Sequence, residues 1–167
     1  FSHSDTEVII KAYHYWGENC IKYLDGMFAF CLWDQSNEKL FIARDRIGIK
    51  PLYYNLSNKA FTFASNSQAL LTQKLDKSIN PLALQQQLSL HGVVPAPNTI
   101  INGIQKVKPA TVITINTKGL LKEKTYWHPN ANRSKRNISD EDYIEKAHEL
   151  LTAAVTKRMA AADVPIG

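Results

Sequence analysis

The residues with the most chemical potential crowd into one turn. Arg44, Asp45, Arg46 and Lys50 fall within the run Ala43-Arg44-Asp45-Arg46-Ile47-Gly48-Ile49-Lys50-Pro51, directly after a short apolar stretch. Charges this close to apolar strands must be paired or kept wet, because an unpaired buried charge is costly. Arg–carboxylate pairs within the turn would lock it to a sheet. A second polar group stands near the start, at Ser4-Asp5-Thr6-Glu7. Ser4 or Asp5 can cap a helix there, and Ser4 and Glu7 have capping-box spacing. The other reactive residue types are scattered. Cys20 and Cys31 are too few for a disulfide framework and are not spaced as metal ligands. Both read as structural thiols of a reducing compartment, Cys31 behaving as a small hydrophobe within its strand. His3, His14, His91, His128 and His148 are dispersed and show no metal-ligand spacing. None of the seven glycines sits in a loop that could cradle a phosphate.

The elements that position these groups follow from the hydrophobic pattern. Val8, Ile9, Ala12, Tyr15 and Trp16 recur at helical spacing after Ser4, with Gly17 as the stop. A short second helix is expected over residues 19–24. Two apolar runs, residues 27–33 and 40–43, flank the polar connector 34–39 and read as a buried hairpin. The charged turn then re-enters an aromatic strand at Leu52-Tyr53-Tyr54. Residues 55–59 read as a turn, 60–64 as a strand and 65–73 as a helix. Asn80-Pro81 starts another helix over 82–90, stopping near Gly92, and Pro95 and Pro97 impose an extended loop. Residues 111–116 form a β-branched strand, paired through the turn 116–119 with a partner over 120–127. Asn102-Gly103 reads as a turn. Residues 129–137 are polar and without apolar period. Beyond them Ser139 caps a helix whose stripe includes Tyr143, Ile144, Leu150, Leu151, Val155 and Met159, ending before Asp163. Helices flanking antiparallel strands give an α+β class.

Composition narrows the function. Apolar residues at 44% and charged residues at 21% are ordinary for a globular chain. The net charge of +5 is modest, and its one local cluster, Arg133, Lys135 and Arg136, lies in the polar connector. Neither a nucleic acid nor a membrane is therefore an expected partner, and no apolar run has the length of a membrane span. Phe1-Ser2-His3-Ser4 is not a signal peptide, and with no initiator Met the chain reads as an excised piece.

Two strings, GMFAFCLWD at residues 26–34 and ARDRIGIKPLYY at residues 43–54, resemble the glutaminase domain of asparagine synthetase and related class II glutamine amidotransferases. The resemblance runs from Ser4 to Gly167. It implies the C-terminal part of an N-terminal-nucleophile (αββα) glutaminase sandwich over residues 1–128. A linker over 129–138 and the first helix of an α/β ATP-pyrophosphatase synthetase domain over 139–167 would follow. Members of this family attack the glutamine side-chain amide with an N-terminal cysteine whose own α-amine is the base. Ammonia then crosses an internal channel to a carboxylate activated by ATP as an acyl-adenylate. Position 1 here is Phe1, and neither Cys20 nor Cys31 can replace an N-terminal cysteine, so no catalytic residue is carried over and this chain alone is expected to be inactive.

The same resemblance assigns Asp5 to the α-ammonium of glutamine, with Ser4 beside it, where the residues alone read as a plain cap in a favourable dipole. For Arg44, Asp45, Arg46 and Lys50 it leaves two roles, lining a passage toward the second domain or locking the sheet, and the structural role is preferred. Asn66 stands where relatives carry Glu, so any ion pair made by that acid would be lost. Residues 162–167 would lead into the strand preceding a Ser-Gly-Gly-x-Asp-Ser loop that binds pyrophosphate, which this sequence does not contain. ATP and Mg²⁺ are thus expected only in a complete protein, with glutamine and a carboxylate acceptor as partners, a cytoplasmic location, and a homodimer allowed. Aspartate is the default acceptor. Residues 88–97 and 107–112 look especially like the N-acetylglutaminylglutamine amidotransferases, and a non-catalytic interaction module is the reading from another class.

Overall fold

A computed structural model describes residues 4–57, 60–130 and 139–160. It divides into two compact units, Phe1–Pro129 and Asn130–Gly167.

The first unit opens with helix α1 (Asp5–Trp16), which Ser4 caps by accepting a hydrogen bond from Thr6 N at 3.2 Å. Glu7 pairs with Lys11 Nζ at 2.6 Å in an i,i+4 ion pair. Gly17, at φ 57°, ends α1. The chain winds on as a 3₁₀ helix over Gly17–Lys22 instead of pausing before the second α-helix expected at 19–24. Strands β1 (Ala29–Asp34) and β2 (Lys39–Arg44) then form the hairpin. Its loop is tied by Asp34, whose carboxylate accepts from Asn37 N (3.0 Å), Asn37 Nδ2 (2.8 Å) and the Tyr13 hydroxyl of α1 (2.8 Å).

Next come β3 (Tyr53–Leu56), β4 (Phe61–Ala64) and the single helical turn α2 (Ser67–Leu70), then helix α3 (Pro81–Ser89). The helix expected over 65–73 shrinks to α2 because Asn66 is extended and caps it, accepting from Gln68 N at 2.9 Å. Asn80 caps α3 in the same way through Ala83 N, with Pro81 at the first helical position. Strands β5 (Gln105–Lys106), β6 (Thr111–Asn116) and β7 (Leu121–Thr125) complete the unit.

All described pairings are antiparallel and make two sheets, in the orders β1-β2-β6-β7 and β4-β3-β5. The first sheet is covered on both faces. Phe41, Ala43 and Val112 meet Ala12, Tyr13, Cys20 and Ile21 of the helical layer, Tyr13 and Phe41 packing with ring centroids 5.1 Å apart. The alternate residues, Ile42 and Ile113, meet Leu52, Tyr54, Phe61 and Val107 of the second sheet and its flanks. Strand β2 is therefore buried on both sides, and Phe41, Ile42 and Ala43 are wholly inaccessible. That is why it reads as a continuous apolar run and not an alternation. Each of the larger side chains contributes about 2 kcal/mol by leaving water. The result is a helix layer on a sheet on a sheet, with α2 against β3 and β4.

The second unit is described through helix α4 (Asp140–Ala160). Ser139 Oγ accepts from Asp142 N at 3.1 Å, and Asp142 returns the bond to Ser139 N at 3.4 Å. The apolar stripe of α4 is exposed, with Ile144 and Leu151 each about two-thirds accessible. The basic cluster at Arg133, Lys135 and Arg136, most of the connector over 129–138, and the segment beyond Ala160 lie outside the described residues, as does His3.

Candidate functional site

The charged turn begins where β2 ends. Arg44 and Asp45 are adjacent in the chain, both buried, and their side chains act on opposite halves of the peptide groups around them. The Asp45 carboxylate accepts from Ile47 N (3.1 Å), Ile49 N (3.0 Å) and Lys50 N (3.0 Å). Arg44 takes carbonyls: Nε donates to Lys50 O at 2.8 Å, Nη2 to Gly48 O at 2.7 Å, and Nη1 to Val107 O. The turn is therefore clamped by an anion on its N–H groups and a cation on its C=O groups. The expected Arg–carboxylate lock is not how Arg44 is held, because backbone groups in a tight turn lie nearer to both side chains than the side chains do to each other.

Electrostatics follow from this geometry. Burial alone would raise the Asp45 pKa, but the N–H groups of Lys50, Ile49, Gly48 and Ile47 outweigh it and hold the carboxyl below its ordinary range. Burial lowers the Arg44 pKa, opposed by the neighbouring Asp45 charge, and guanidinium remains protonated throughout. Lys106 is lowered by burial and then by Arg44, and its ammonium donates to Val94 O at 2.5 Å.

Gly48 is required at its place. It has φ 72°, and a Cβ there would lie 2.9 Å from Pro109 and 3.2 Å from the Arg44 guanidinium carbon. The backbone of Asp45 is pinned as well, its N–H donating to Phe28 O and its C=O accepting from Ala110 N, both at 2.8 Å. Tyr126 closes the arrangement by donating its hydroxyl to Arg44 O at 2.8 Å. Burial, then the Asp45 charge, pushes its phenol up to about 12.

Arg46 and Lys50 are less engaged. Arg46 reaches Asp25 at 3.8 Å in a half-exposed ion pair, a contact of about 0–1 kcal/mol. Lys50 is exposed, and so are Ile47 and Ile49 beside it. Asp5 differs again: it is exposed in the first turn of α1, with Glu7 the other acid there, and no described residue pairs with its carboxylate. Asn102-Gly103 forms a turn, with Asn102 Nδ2 donating to Ser78 Oγ at 3.0 Å. Neither cysteine is poised as a nucleophile. Cys20 is fully buried, its thiol pushed up by burial, and burial drives Cys31 to about 12. Among the described residues, no group of three or more His, Cys, Asp or Glu side chains could hold a metal ion.

Sequence reasoning found the turn and missed what holds it. Tyr126 read as part of a strand, and nothing in its neighbourhood signals a bond to a residue more than eighty positions earlier.

A profile of the glutamine amidotransferase domain matches residues 1–127. The chain belongs to that family. It is 35% identical to asparagine synthetase [glutamine-hydrolyzing] 3 of Bacillus subtilis (strain 168) over 165 residues, 98% of this chain and 26% of the relative. With asparagine synthetase [glutamine-hydrolyzing] 1 of the same organism it shares 35% over 164 residues, 98% of this chain and 25% of the relative. The chain thus spans about a quarter of the length of these relatives. Among solved structures it resembles glutamine phosphoribosylpyrophosphate amidotransferase from B. subtilis, with a TM-score of 0.50 and 21% identity over 80% of this chain and 25% of that one. A structure titled as the allosteric regulatory enzyme of purine biosynthesis gives 0.51 and 20%, over 80% of this chain and 24% of that one. These likenesses establish the α+β N-terminal-nucleophile glutaminase fold for this glutamine amidotransferase domain.

Proposed function

We propose that this chain is part of an enzyme that takes ammonia from the side-chain amide of glutamine and passes it to a carboxylate activated by ATP, with aspartate as acceptor and asparagine as product. The observation that carries this reading is the extent of the likeness. Similarity to the asparagine synthetases covers 98% of the chain, whereas the amidotransferase domain profile ends at residue 127. The match therefore includes residues outside the glutaminase domain, which supports a synthetase domain beginning near α4.

In this reading Asp5 supplies a carboxylate for the α-ammonium of glutamine, and its exposure with no described partner leaves it free to do so. Arg44, Asp45 and their turn serve as structure and not as ligand groups, since both side chains are spent on backbone. Cys20 and Cys31 take no part in amide hydrolysis, so the polypeptide of residues 1–167 releases no glutamate from glutamine. ATP and Mg²⁺ belong to the complete protein in this reading, and no step is assigned to them within this chain. Two free cysteines suit a reducing, cytoplasmic setting, and no described helix is long and apolar enough to cross a membrane.

The test is an assay of the protein encoded by the complete reading frame, supplied with glutamine, ATP, Mg²⁺ and aspartate. Glutamate and asparagine should form in equal amounts, with none from residues 1–167 alone. Amidation of N-acetylglutaminylglutamine instead of aspartate would move the acceptor to the second family branch. Failure of the complete protein to release glutamate would leave a binding module.

A further inference from the structure

Two side chains of the helical layer fasten the same rung of the four-stranded sheet. Asp34 and Lys39 are register partners, the last pair of the β1–β2 hairpin before its loop. The Tyr13 hydroxyl of α1 donates to the Asp34 carboxylate at 2.8 Å, and Lys39 Nζ meets Glu18 of the following 3₁₀ helix at 2.7 Å. Glu18 is half-exposed, so its pair adds little by itself. The Tyr13 bond is partly buried and has an ionised acceptor, which makes it the stronger tie. Two bonds from Asn37 hold that acceptor in place. Burial and then the Asp34 hydrogen bond raise the pKa of the phenol, so the hydroxyl stays a donor at neutral pH. All of this lies toward the C-terminal end of α1. Ala12 is the buried residue of the helix, whereas Val8 and Ile10, nearer its start, are more than half exposed. Asp5 stands at the lightly held end, about 12 Å along the axis from Tyr13.

We propose that Tyr13 is a positioning residue for glutamine: its bond to Asp34 fixes the orientation of α1, and so the place of the Asp5 carboxylate, without touching the substrate. This rests on the reading of Asp5 as the group that receives the α-ammonium. A helix fastened near one end pivots about its fastening, and a tilt of about 5° at Tyr13 carries Asp5 about 1 Å, enough to spoil a ligand contact. Packing of the Tyr13 ring on Phe41, with centroids 5.1 Å apart, holds the helix against the sheet but leaves such a tilt open. The hydroxyl adds a second, directional point of attachment beyond the ring. Tyr13→Phe keeps the ring and removes that point alone.

The protein from the complete reading frame is compared with its Tyr13→Phe, Asp34→Ala, Asp5→Asn and Tyr13→Phe/Asp5→Asn variants. Glutamine kinetics give KM and kcat, and calorimetry gives the Kd for glutamate, which bears the same α-ammonium and is not consumed. Tyr13→Phe should raise KM and Kd about fivefold, the worth of one hydrogen bond, and leave kcat within about twofold. Asp34→Ala, which removes the acceptor instead, should match it. In the double variant the Tyr13 change should add nothing to Asp5→Asn, because no charge is left to place. A lower Tm with unchanged KM and Kd would make Tyr13 a structural residue and overturn the inference. Full additivity in the double variant would do the same, since Tyr13 would then act by a route other than Asp5. Wild-type affinity in Asp5→Asn would remove the reading of Asp5 and the inference with it. The two failures are therefore told apart by which single variant is silent.

Discussion

At the end of β2, Asp45 is 1% exposed and three backbone N–H groups meet its carboxylate. At the start of α1, Asp5 is exposed and meets no described residue. The same side chain is thus spent in one place and kept in reserve in the other. A carboxylate already holding a turn cannot be withdrawn for a ligand without unfolding that turn. One that only shares a helix's first turn can bind a cationic group and leave the fold as it was. Charge density in a sequence marks both kinds of place, and only partners separate them.

The contrast can be broken most severely at Asp45. Asp45→Ala leaves Arg44 buried beside an emptied site and several N–H groups unmet, and should cost about 3–5 kcal/mol in urea unfolding of residues 1–167. A loss below about 1 kcal/mol would show that the clamp is ornamental. Its pH signature has a definite sign. The folded pKa of Asp45 lies below its unfolded value of about 4, so its stabilisation is complete above that pH and is lost as pH falls through the folded pKa. Asp34 and Asp76 are shifted the same way, by their hydrogen bonds to Asn37 and to Ser78. The informative quantity is therefore the difference between wild type and Asp45→Asn, the variant having the shallower acid limb.

Gly48→Ala comes next, at about 1–3 kcal/mol, because φ 72° and the approach of Pro109 both oppose a side chain. Tyr126→Phe removes one hydrogen bond to Arg44 O and should cost about 1 kcal/mol, read as a shift of the denaturation midpoint at constant m. Asp5→Asn should change stability least, by about 0.5 kcal/mol, from the loss of a favourable first-turn charge. In the complete protein the same change should raise the KM for glutamine about tenfold or more, the worth of a charged hydrogen bond. A large loss of stability with an unchanged KM would place Asp5 with Asp45 and erase the contrast.

Local features were legible from residue order. The apolar runs around residues 34–39 imply the hairpin, Asn80-Pro81 marks the start of α3, and Ser139 marks that of α4. These depend on neighbours within a few positions. The two shortfalls among helices, at 19–24 and 65–73, arose where one residue reset the backbone: Gly17 continues the winding as 3₁₀, and extended Asn66 delays the next helix to Ser67. The two-residue strand β5 has too little pattern to be seen in advance, and it exists because Tyr53 and Tyr54 offer it a ladder. The candidate site divides in the same manner. Its charged residues were plain to see, whereas Val107, Ala110 and Tyr126 reach the turn only through the pairing of strands distant in sequence.

That pairing has a kinetic consequence. Strands β1 and β2 form one hairpin and β6 and β7 another, each closed by a short loop. The seam between them aligns Ala43 with Val112, roughly seventy residues apart, so closing it carries most of the chain-entropy cost of the sheet. The two hairpins can form within microseconds, and their docking sets the pace. Until the seam closes, Phe41, Ile42 and Ile113 remain in water, and that interval is when newly made chains are most exposed to aggregation.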